Sequence, residues 1–276
     1  MSGASGFIGN MLIKELLNNG HNVYGLVRKN IDSFNKQNYK NILIEDISNN
    51  IELNKNISFD YYYHLAAKTH AKSNNYNEYY KVNVLGLKNI LNSFNKLHIK
   101  KIIMLSSIKV NGEGFLSNDN FYSKNSEEKP EDAYGNTKLE AENLLKKYST
   151  TKKINYVILR PPLVYGAGVK GNLSSLMNYI DKGVPMPVIN TANMRSLISV
   201  NNLVNALITV GFNNKIINKT YLVSDDNPIR VEDLYKIIAK IMNKKIFLVK
   251  LPKFFLKILL LPIGKSKLVN KISASL

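Results

Sequence analysis

The chain has 276 residues, of which 45% are hydrophobic and 9% aromatic. These values suit a sizeable globular core and exclude a disordered or fibrous chain. It contains no cysteine, which excludes disulfides and cysteine-based zinc sites, and its four histidines lack metal-ligand spacing, so we expect no metal site. The net charge of +18 is consistent with a polyanionic partner, but the lysines are spread along the chain. That spread favours a compositional bias over nucleic-acid binding.

Neither a secretory signal nor a membrane-spanning segment can be recognised in the sequence. Met1 runs directly into a glycine-rich turn. The longest apolar stretch, residues 254–261, is interrupted by Lys257 and followed by Pro262. It is far shorter than the ~20 residues that a spanning helix needs, and it predicts a buried or interfacial helix. We therefore expect a cytoplasmic protein with no stable membrane insertion.

The spacing of apolar residues alternates between helical and extended patterns along the first 160 residues. Apolar residues at helical spacing from Ile8 to Leu17, ended by Gly20, predict the first helix. Further helices are predicted over 76–97 and 134–148, and strands over 23–27, 42–44, 61–65, 102–106 and 156–160. Strands that alternate with helices predict βαβ units and an α/β fold with a Rossmann-type, doubly wound parallel sheet.

The regular alternation weakens after Pro161 and Pro162. We predict one domain over residues 1–163, with a returning segment near 197–225, and a smaller C-terminal substrate-binding lobe over 164–276. The polar stretch 111–132 is too long for an ordinary connection and predicts a functional loop.

Gly3, Gly6 and Gly9 open the first helix, with Phe7 and Ile8 between the last two. Glycines let the backbone turn tightly beside a pyrophosphate, whose charge the helix N-terminus favours. These five residues predict a dinucleotide site, which makes residues 1–163 a NAD(P)-binding domain. The central strand of such a sheet should precede Gly3, where only Met1 and Ser2 stand. We expect either a first strand truncated by a start lying upstream, which we favour, or a damaged sheet core.

A basic pair, Arg28 and Lys29, ends the strand predicted over 23–27. Enzymes that prefer NAD usually place an acid there, on the ribose hydroxyls, whereas Arg and Lys would pair with a 2′-phosphate. The pair favours NADP over NAD. The alternative is that these are two more basic residues in a basic chain.

Tyr134 and Lys138 lie four residues apart on a predicted helix and therefore share a face. The Lys138 ammonium is expected to lower the Tyr134 pKa from its usual ~10, so that the phenol exchanges a proton with a substrate oxygen while hydride moves. Ser107 follows a buried strand, at the sheet edge where ligands bind, and could contact the same oxygen. Taken alone, the spacing of Tyr134 and Lys138 also fits two interacting residues on the surface of a helix. Ser107 taken alone also fits a serine that caps a turn.

Together the motifs resemble the extended short-chain dehydrogenases, specifically their nucleotide-sugar epimerase/dehydratase branch, over nearly the whole chain. The resemblance implies that Ser107, Tyr134 and Lys138 are catalytic and that Tyr134 and Lys138 also contact the cofactor. It implies further cofactor contacts from Asp46, Ile47, Leu65, Ala66, Ala67 and Asn83. It also implies that Arg195 pairs with a substrate diphosphate and that Asn172 and Leu173 meet the nucleotide base. A homodimer is common in the family.

Two departures from the family pattern narrow the expected reaction. Ile108 and Lys109 stand where 4,6-dehydratases carry an Asp-Glu pair, and Leu163 stands where classical hexose epimerases carry Asn. The favoured hypothesis is a 4-ketoreductase of a UDP-4-keto-6-deoxy-N-acetylhexosamine in surface polysaccharide biosynthesis.

The alternative hypothesis is a UDP-hexose 4-epimerase. A non-catalytic, cofactor-sensing or nucleic-acid-binding regulator is disfavoured, because the Ser, Tyr and Lys of the catalytic group are all present. Family members continue beyond a segment like residues 274–276, so we expect the lobe to be incomplete at its C-terminal end.

Overall fold

The structure is a computed structural model that describes residues 1–34, 37–53, 58–69, 75–94, 97–112, 122–169, 171–189 and 194–251. The helix predicted near 254–261 and the C-terminal end lie outside these residues. The α-helices are α1 (Phe7–Asn18), α2 (Tyr76–Tyr80), α3 (Gly86–Ser93), α4 (Ala133–Lys152), α5 (Asn172–Asp181), α6 (Val200–Phe212) and α7 (Val231–Ile241).

The strands of the first half are β1 (Val23–Val27), β2 (Tyr39–Leu43), β3 (Tyr61–His64), β4 (Lys101–Leu105), β5 (Asn155–Arg160) and β6 (Leu163–Tyr165). Those of the second half are β7 (Met186–Ile189), β8 (Met194–Arg195), β9 (Leu197–Ser199), β10 (Lys219–Leu222), β11 (Ile229–Arg230) and β12 (Leu248–Leu251). A π-helical turn over Lys81–Leu85 joins α2 to α3, and a 3₁₀ turn over Ile108–Val110 follows β4.

The main sheet is parallel and consists of two groups of paired strands. One group is β2-β1, and the other has the strand order β3-β4-β5-β10. Ser2 bridges both parts, pairing with Leu26 of β1 and His64 of β3. The Leu26 amide donates to the Met1 carbonyl at 2.8 Å, and the Ser2 amide donates to the Tyr63 carbonyl at 3.0 Å. Met1 and Ser2 therefore hold the central position of the sheet, and the predicted Rossmann-type fold is confirmed.

Helices cover both faces of this sheet. Along β4, Ile103 packs with α1 and α6, whereas Ile102 and Met104 pack with α3 and α4. The alternation follows from the two-residue period of a strand, whose successive side chains point to opposite faces. Because both faces are covered, the central strands are continuous apolar runs. This explains why β1 was predicted with its observed bounds.

Three elements differ from the prediction by three or more residues, and one of them is α4, which extends four residues beyond the predicted end at 148. The helix predicted over 76–97 ends at Ser93 and is interrupted by the π turn. The side-chain amide of Asn83 in this turn donates to Thr137 Oγ1 at 3.0 Å and accepts from the Lys68 amide at 2.8 Å. The first of these contacts holds the turn against α4, and the second holds it against the segment that follows β3. Strand β2 begins at Tyr39, three residues before its predicted start, because its exposed polar residues hide the strand pattern.

The smaller lobe has its own core, in which Ile180 of α5, Met186 of β7 and Ala239 of α7 are buried. Strands β7 and β12 pair in parallel, and β8 and β11 pair antiparallel. Residues 200–222 return to the main sheet, where β10 lies beside β5. In the described part of the chain, no helix is long and apolar enough to cross a membrane.

Lys101 caps a helix from inside the core, and we expect its loss to destabilise the fold. Its side chain is 2% exposed, and Nζ donates to the carbonyls of Val210, Gly211 and Asn213 at 2.8–3.0 Å, where α6 ends. Lys101→Met removes this donor from all three carbonyls, of which only that of Asn213 also accepts from the Ile216 amide, among the described contacts. It should lower the free energy of unfolding by about 1–3 kcal/mol, measured by urea titration. The matched control is Lys100→Met, because Lys100 forms a solvent-exposed pair with Asp60. Similar stability losses in both variants would contradict this prediction.

Candidate active site

The glycine loop folds tightly against the segment that follows β3. Gly3 has a φ of +72°, and a Cβ there would lie 2.7 Å from the Ala66 nitrogen. A Cβ on Gly9 would lie 2.1 Å from the Gly3 carbonyl oxygen, so neither position accepts a side chain. Helix α1 begins at Phe7 with no side-chain cap and no acidic residue in its first turn. Its first amides, beside the backbone of Gly3, fit the pyrophosphate of a dinucleotide.

Leu65 and Ala66, which the resemblance assigned to the cofactor together with Ala67, lie beside this loop. The Leu65 amide donates to the Ser2 carbonyl at 3.3 Å, and the Ala66 amide lies 3.4 Å from Ser2 Oγ. The preceding residue, His64, is buried, and its Nδ1 lies 3.0 Å from Ser2 Oγ and 3.0 Å from the Tyr62 hydroxyl. Burial lowers the His64 pKa to about 3, so His64 is a neutral structural side chain. Among the described residues no His, Asp or Glu cluster could hold a metal ion.

Arg28 and Asp46 follow β1 and β2, at the same edge of the sheet as the glycine loop. Asp46 Oδ1 accepts from the Ser48 amide at 2.8 Å and from its hydroxyl at 2.7 Å. These hydrogen bonds lower the Asp46 pKa, with smaller contributions from Lys81 and Arg28. Ile47 packs against Gly86 in α3, where a Cβ would lie 2.9 Å from Ile47 Cγ2. The structure thus brings Arg28, Asp46 and Ile47 to one region, with Arg28 exposed.

Ser107 and Tyr134 meet where β4 ends and α4 begins. Ser107 Oγ accepts from the Lys109 amide at 3.3 Å, and the Ser107 side chain lies close enough to the Tyr134 phenol to influence its pKa. Burial raises the Tyr134 pKa to about 12, and the nearby Ser107 side chain opposes this shift. Lys138 is 1% exposed, and its Nζ donates to the Leu105 carbonyl at 2.7 Å. Burial lowers the Lys138 pKa to about 8.

The expectation that Lys138 lowers the Tyr134 pKa is therefore wrong for this structure. Burial penalises the charged phenolate and dominates the shift, and the Lys138 ammonium is directed to the Leu105 carbonyl. The i,i+4 spacing places both residues on one helical face, as predicted, but it does not fix the direction of the ammonium.

Asp132 fixes the relative position of the Ser107 turn and α4. Its Oδ1 caps the helix by accepting from the Gly135 amide at 2.7 Å, and its Oδ2 pairs with Lys109 Nζ at 2.9 Å. One carboxylate therefore binds both segments that carry the reactive hydroxyls. The sequence analysis missed Asp132, although an Asp directly before a predicted helix is a recognised capping signal.

A second feature missed in the sequence is a buried ion pair behind Ser107. The Arg160 guanidinium donates to Glu142 through Nε at 2.9 Å and through Nη2 at 2.6 Å. It also donates to Asn111 Oδ1 at 3.1 Å and to Glu128. Ser106 Oγ donates to Glu142 Oε1 at 2.5 Å. Glu142 is 0% exposed and lies one helical turn after Lys138, a spacing that could have drawn attention to it.

The residues expected to bind substrate lie in the smaller lobe. Asn172 and Leu173 open α5, with Asn172 exposed and Leu173 buried. Arg195 lies in β8, two residues before β9, and β9 pairs in parallel with β6 from Leu163 onward. The Pro161 carbonyl, two residues before β6, accepts from the Ile108 amide at 3.0 Å, so the strand that pairs with β9 begins beside the turn that contains Ser107. Arg195 itself pairs antiparallel with Ile229 of β11.

A doubly wound parallel sheet, a glycine loop at α1 and a Ser-Tyr-Lys group at the carboxyl edge define an enzyme of the extended short-chain dehydrogenase type. The family model described as the NAD dependent epimerase/dehydratase family matches residues 1–223, and the chain belongs to this family.

Individual relatives agree with this assignment. The chain is 34% identical over 285 residues to a UDP-glucose 4-epimerase of Vibrio cholerae, covering 100% of this chain and 85% of the relative. It is 28% identical over 260 residues to the N-acetyl-alpha-D-glucosaminyl-diphospho-ditrans,octacis-undecaprenol 4-epimerase of Escherichia coli, covering 91% and 74%. A crystal structure of UDP-glucuronic acid 4-epimerase from Bacillus cereus, in complex with NAD, superposes with a TM-score of 0.77 at 23% identity, covering 91% and 85%. This last likeness shows the fold.

We expect Glu142→Ala to destabilise the protein strongly, because it leaves the buried Arg160 charge without its main partner. Breaking a buried ion pair from one side should cost about 3–5 kcal/mol in the free energy of unfolding. Glu140→Ala, two residues earlier on α4, removes a carboxylate that contacts exposed Tyr76 and should cost less than about 1 kcal/mol. Urea unfolding of both variants tests this, and a loss below about 1 kcal/mol for Glu142→Ala would show that Glu128 and Asn111 suffice.

Proposed function

We propose that this chain is a UDP-hexose 4-epimerase that uses a nicotinamide dinucleotide bound at the glycine loop. The observation that carries the proposal is the convergence of Ser107, Tyr134 and buried Lys138. Lys138 Nζ donates to the carbonyl of Leu105, two residues before Ser107. Asp132 caps the helix of Tyr134 and pairs with Lys109, two residues after Ser107. This group stands in a chain that is 34% identical, along its whole length, to a UDP-glucose 4-epimerase. The bound dinucleotide supplies the hydride acceptor and donor.

In this proposal Tyr134 exchanges a proton with the oxygen on C4 of the sugar, and Ser107 orients the same oxygen. The Tyr134 pKa of about 12 keeps the phenol protonated at neutral pH, ready to donate to a carbonyl oxygen. Lys138, with a pKa of about 8, is mostly charged at neutral pH. Its ammonium is held by the Leu105 carbonyl, at the end of the strand that leads to Ser107.

The family resemblance supports further contacts with substrate and cofactor. We propose that Arg195 pairs with the substrate diphosphate and that Asn172 and Leu173 meet the nucleotide base. We propose that the cofactor contacts Gly3, Gly6, Phe7, Ile8, Gly9, Arg28, Asp46, Ile47, Leu65, Ala66, Ala67, Asn83, Tyr134 and Lys138.

Elimination of water fits the site poorly. Ile108 is buried, and Lys109 is paired with Asp132, so the two residues after Ser107 provide no acid–base pair of carboxylates. This supports chemistry confined to C4.

The second candidate function is a NADPH-dependent 4-ketoreductase of a UDP-4-keto-6-deoxy-N-acetylhexosamine. Arg28 favours it, because this residue is exposed at the end of β1, where a 2′-phosphate would be recognised. Leu163 favours it too, since it replaces the Asn that is typical of hexose epimerases.

One assay separates the two candidates. The purified protein is examined for bound nicotinamide and then given UDP-glucose, UDP-galactose or their N-acetylhexosamine counterparts without added cofactor. Interconversion with no net change in the cofactor supports the epimerase. Stoichiometric oxidation of NADPH on addition of the UDP-4-ketosugar, without interconversion of hexoses, supports the reductase and overturns the epimerase.

Tyr134→Phe should reduce kcat by about 10²–10⁴-fold, because it removes the hydroxyl that exchanges the proton. Cofactor affinity, measured by fluorescence titration, should change little, since the aromatic ring is kept. Tyr148→Phe on the same helix is the matched control and should retain activity. Near-normal turnover by Tyr134→Phe would refute the proposed role of this hydroxyl under either candidate function.

The ketoreductase candidate further predicts that Arg28→Ala weakens NADP binding about tenfold or more while leaving NAD binding nearly unchanged, because one charge-assisted contact to the 2′-phosphate is lost. Lys14→Ala, which removes an exposed lysine from α1, is the control for net charge. Equal effects of Arg28→Ala on the two dinucleotides would show that Arg28 does not select the phosphorylated cofactor.

A further inference from the structure

The smaller lobe exposes a group of large apolar side chains. Ile241 is 79% exposed, Phe247 62%, Tyr179 53% and Val184 41%. Single exposed apolar residues are ordinary on a protein surface, whereas several together mark an interaction site.

Backbone contacts place them at one end of the lobe, which we call the lobe tip. The Val184 amide donates to the Tyr179 carbonyl at 3.0 Å, and the Met186 amide donates to the Phe247 carbonyl at 2.8 Å. Ile241 is the last residue of α7, which packs against α5. The lobe tip is thus formed by residues 179–184 and 240–247.

The lobe tip is basic. Lys182, Lys240, Lys244 and Lys245 are all exposed within these two segments. Asp181 is the one acidic residue in them, and it already pairs with Lys244 at 2.8 Å. The apolar side chains are therefore surrounded by uncompensated positive charge, in a chain whose net charge is +18.

The lobe tip lies away from the residues proposed to bind substrate. Asn172 opens α5 and Asp181 ends it, so the base-binding end and the lobe tip are about 15 Å apart along a ten-residue helix. Similarly, α7 starts directly after β11, the strand that pairs with Arg195, and ends at the lobe tip. A partner at the lobe tip would leave the proposed site open.

We propose that the lobe tip is a docking surface for anionic phospholipid membranes. Its apolar side chains enter the interfacial region, and its lysines contact the negative head groups. The inference does not depend on the reaction proposed above.

Charge complementarity selects this occupant over two others. A second copy of the chain, docked symmetrically through the same surface, would oppose the four lysines to another four. Residues 252–276 of the same chain contain Lys253, Lys257, Lys265, Lys267 and Lys271 and no acidic residue. Neither occupant neutralises the lobe tip, whereas an anionic lipid surface does.

The test is co-sedimentation of the full chain with phosphatidylcholine vesicles, with and without phosphatidylglycerol, at low and high salt. We expect binding only to the anionic vesicles and weakening by salt. The double variants Ile241→Ser/Phe247→Ser and Lys240→Gln/Lys245→Gln should each bind about tenfold or more weakly. Lys244 is left in place, because it pairs with Asp181.

Leu43→Ser is the matched control, since Leu43 is 60% exposed on β2, in the main sheet. It should bind like the original chain, and thermal unfolding verifies that every variant is folded. The proposal is overturned if the original chain does not bind anionic vesicles or if the lobe-tip variants bind as well as Leu43→Ser. A fall in melting temperature confined to Ile241→Ser/Phe247→Ser, without vesicle binding, would assign the surface to residues 252–276. A change in oligomeric state without vesicle binding would assign it to a second copy.

Discussion

The buried pair between Arg160 and Glu142 joins the elements on which the candidate active site depends. Arg160 ends β5, Glu142 belongs to α4, and Ser106, bonded to Glu142, follows β4 directly before Ser107. Charges removed from water are tolerated only when hydrogen bonds satisfy them nearly completely. The two strand ends and the helix must therefore keep their relative positions. The closeness of Ser107 and Tyr134 follows from that constraint and from Asp132, which caps α4 and pairs with Lys109.

Burial at this position also sets the protonation states of the site. It raises the Tyr134 pKa to about 12 and lowers the Lys138 pKa to about 8. Each shift favours the uncharged form of the side chain compared with the same side chain in water. At neutral pH the phenol keeps its proton and the ammonium is mostly present. The site is thus prepared to donate a proton to a carbonyl oxygen. Reaction in the opposite direction requires the phenolate, and it needs a positive charge close to Tyr134.

The sequence alone predicted the structure correctly where a local pattern of residues determines it. Strand β1 was located correctly because its apolar run is bounded by polar residues at both ends, and the local spacing of Tyr134 and Lys138 was enough to predict that they share one helix. The π turn over Lys81–Leu85 was missed, since it depends on contacts of Asn83 with residues of other segments. The same reason hid the Glu142–Arg160 pair, Lys101 and the direction of the Lys138 ammonium. Each depends on groups that are distant in sequence.

The two ends of the smaller lobe differ for a physical reason. Helix N-termini favour negative charge and C-termini favour positive charge, within the first and last turns. Helices α5 and α7 both end at the lobe tip, so their dipoles account in part for Lys182 and Lys240 at that end. They do not account for Ile241 and Phe247, which no helix terminus requires to be exposed. The apolar side chains are therefore the feature of the lobe tip that calls for an external partner, and the lysines select the charge that this partner carries.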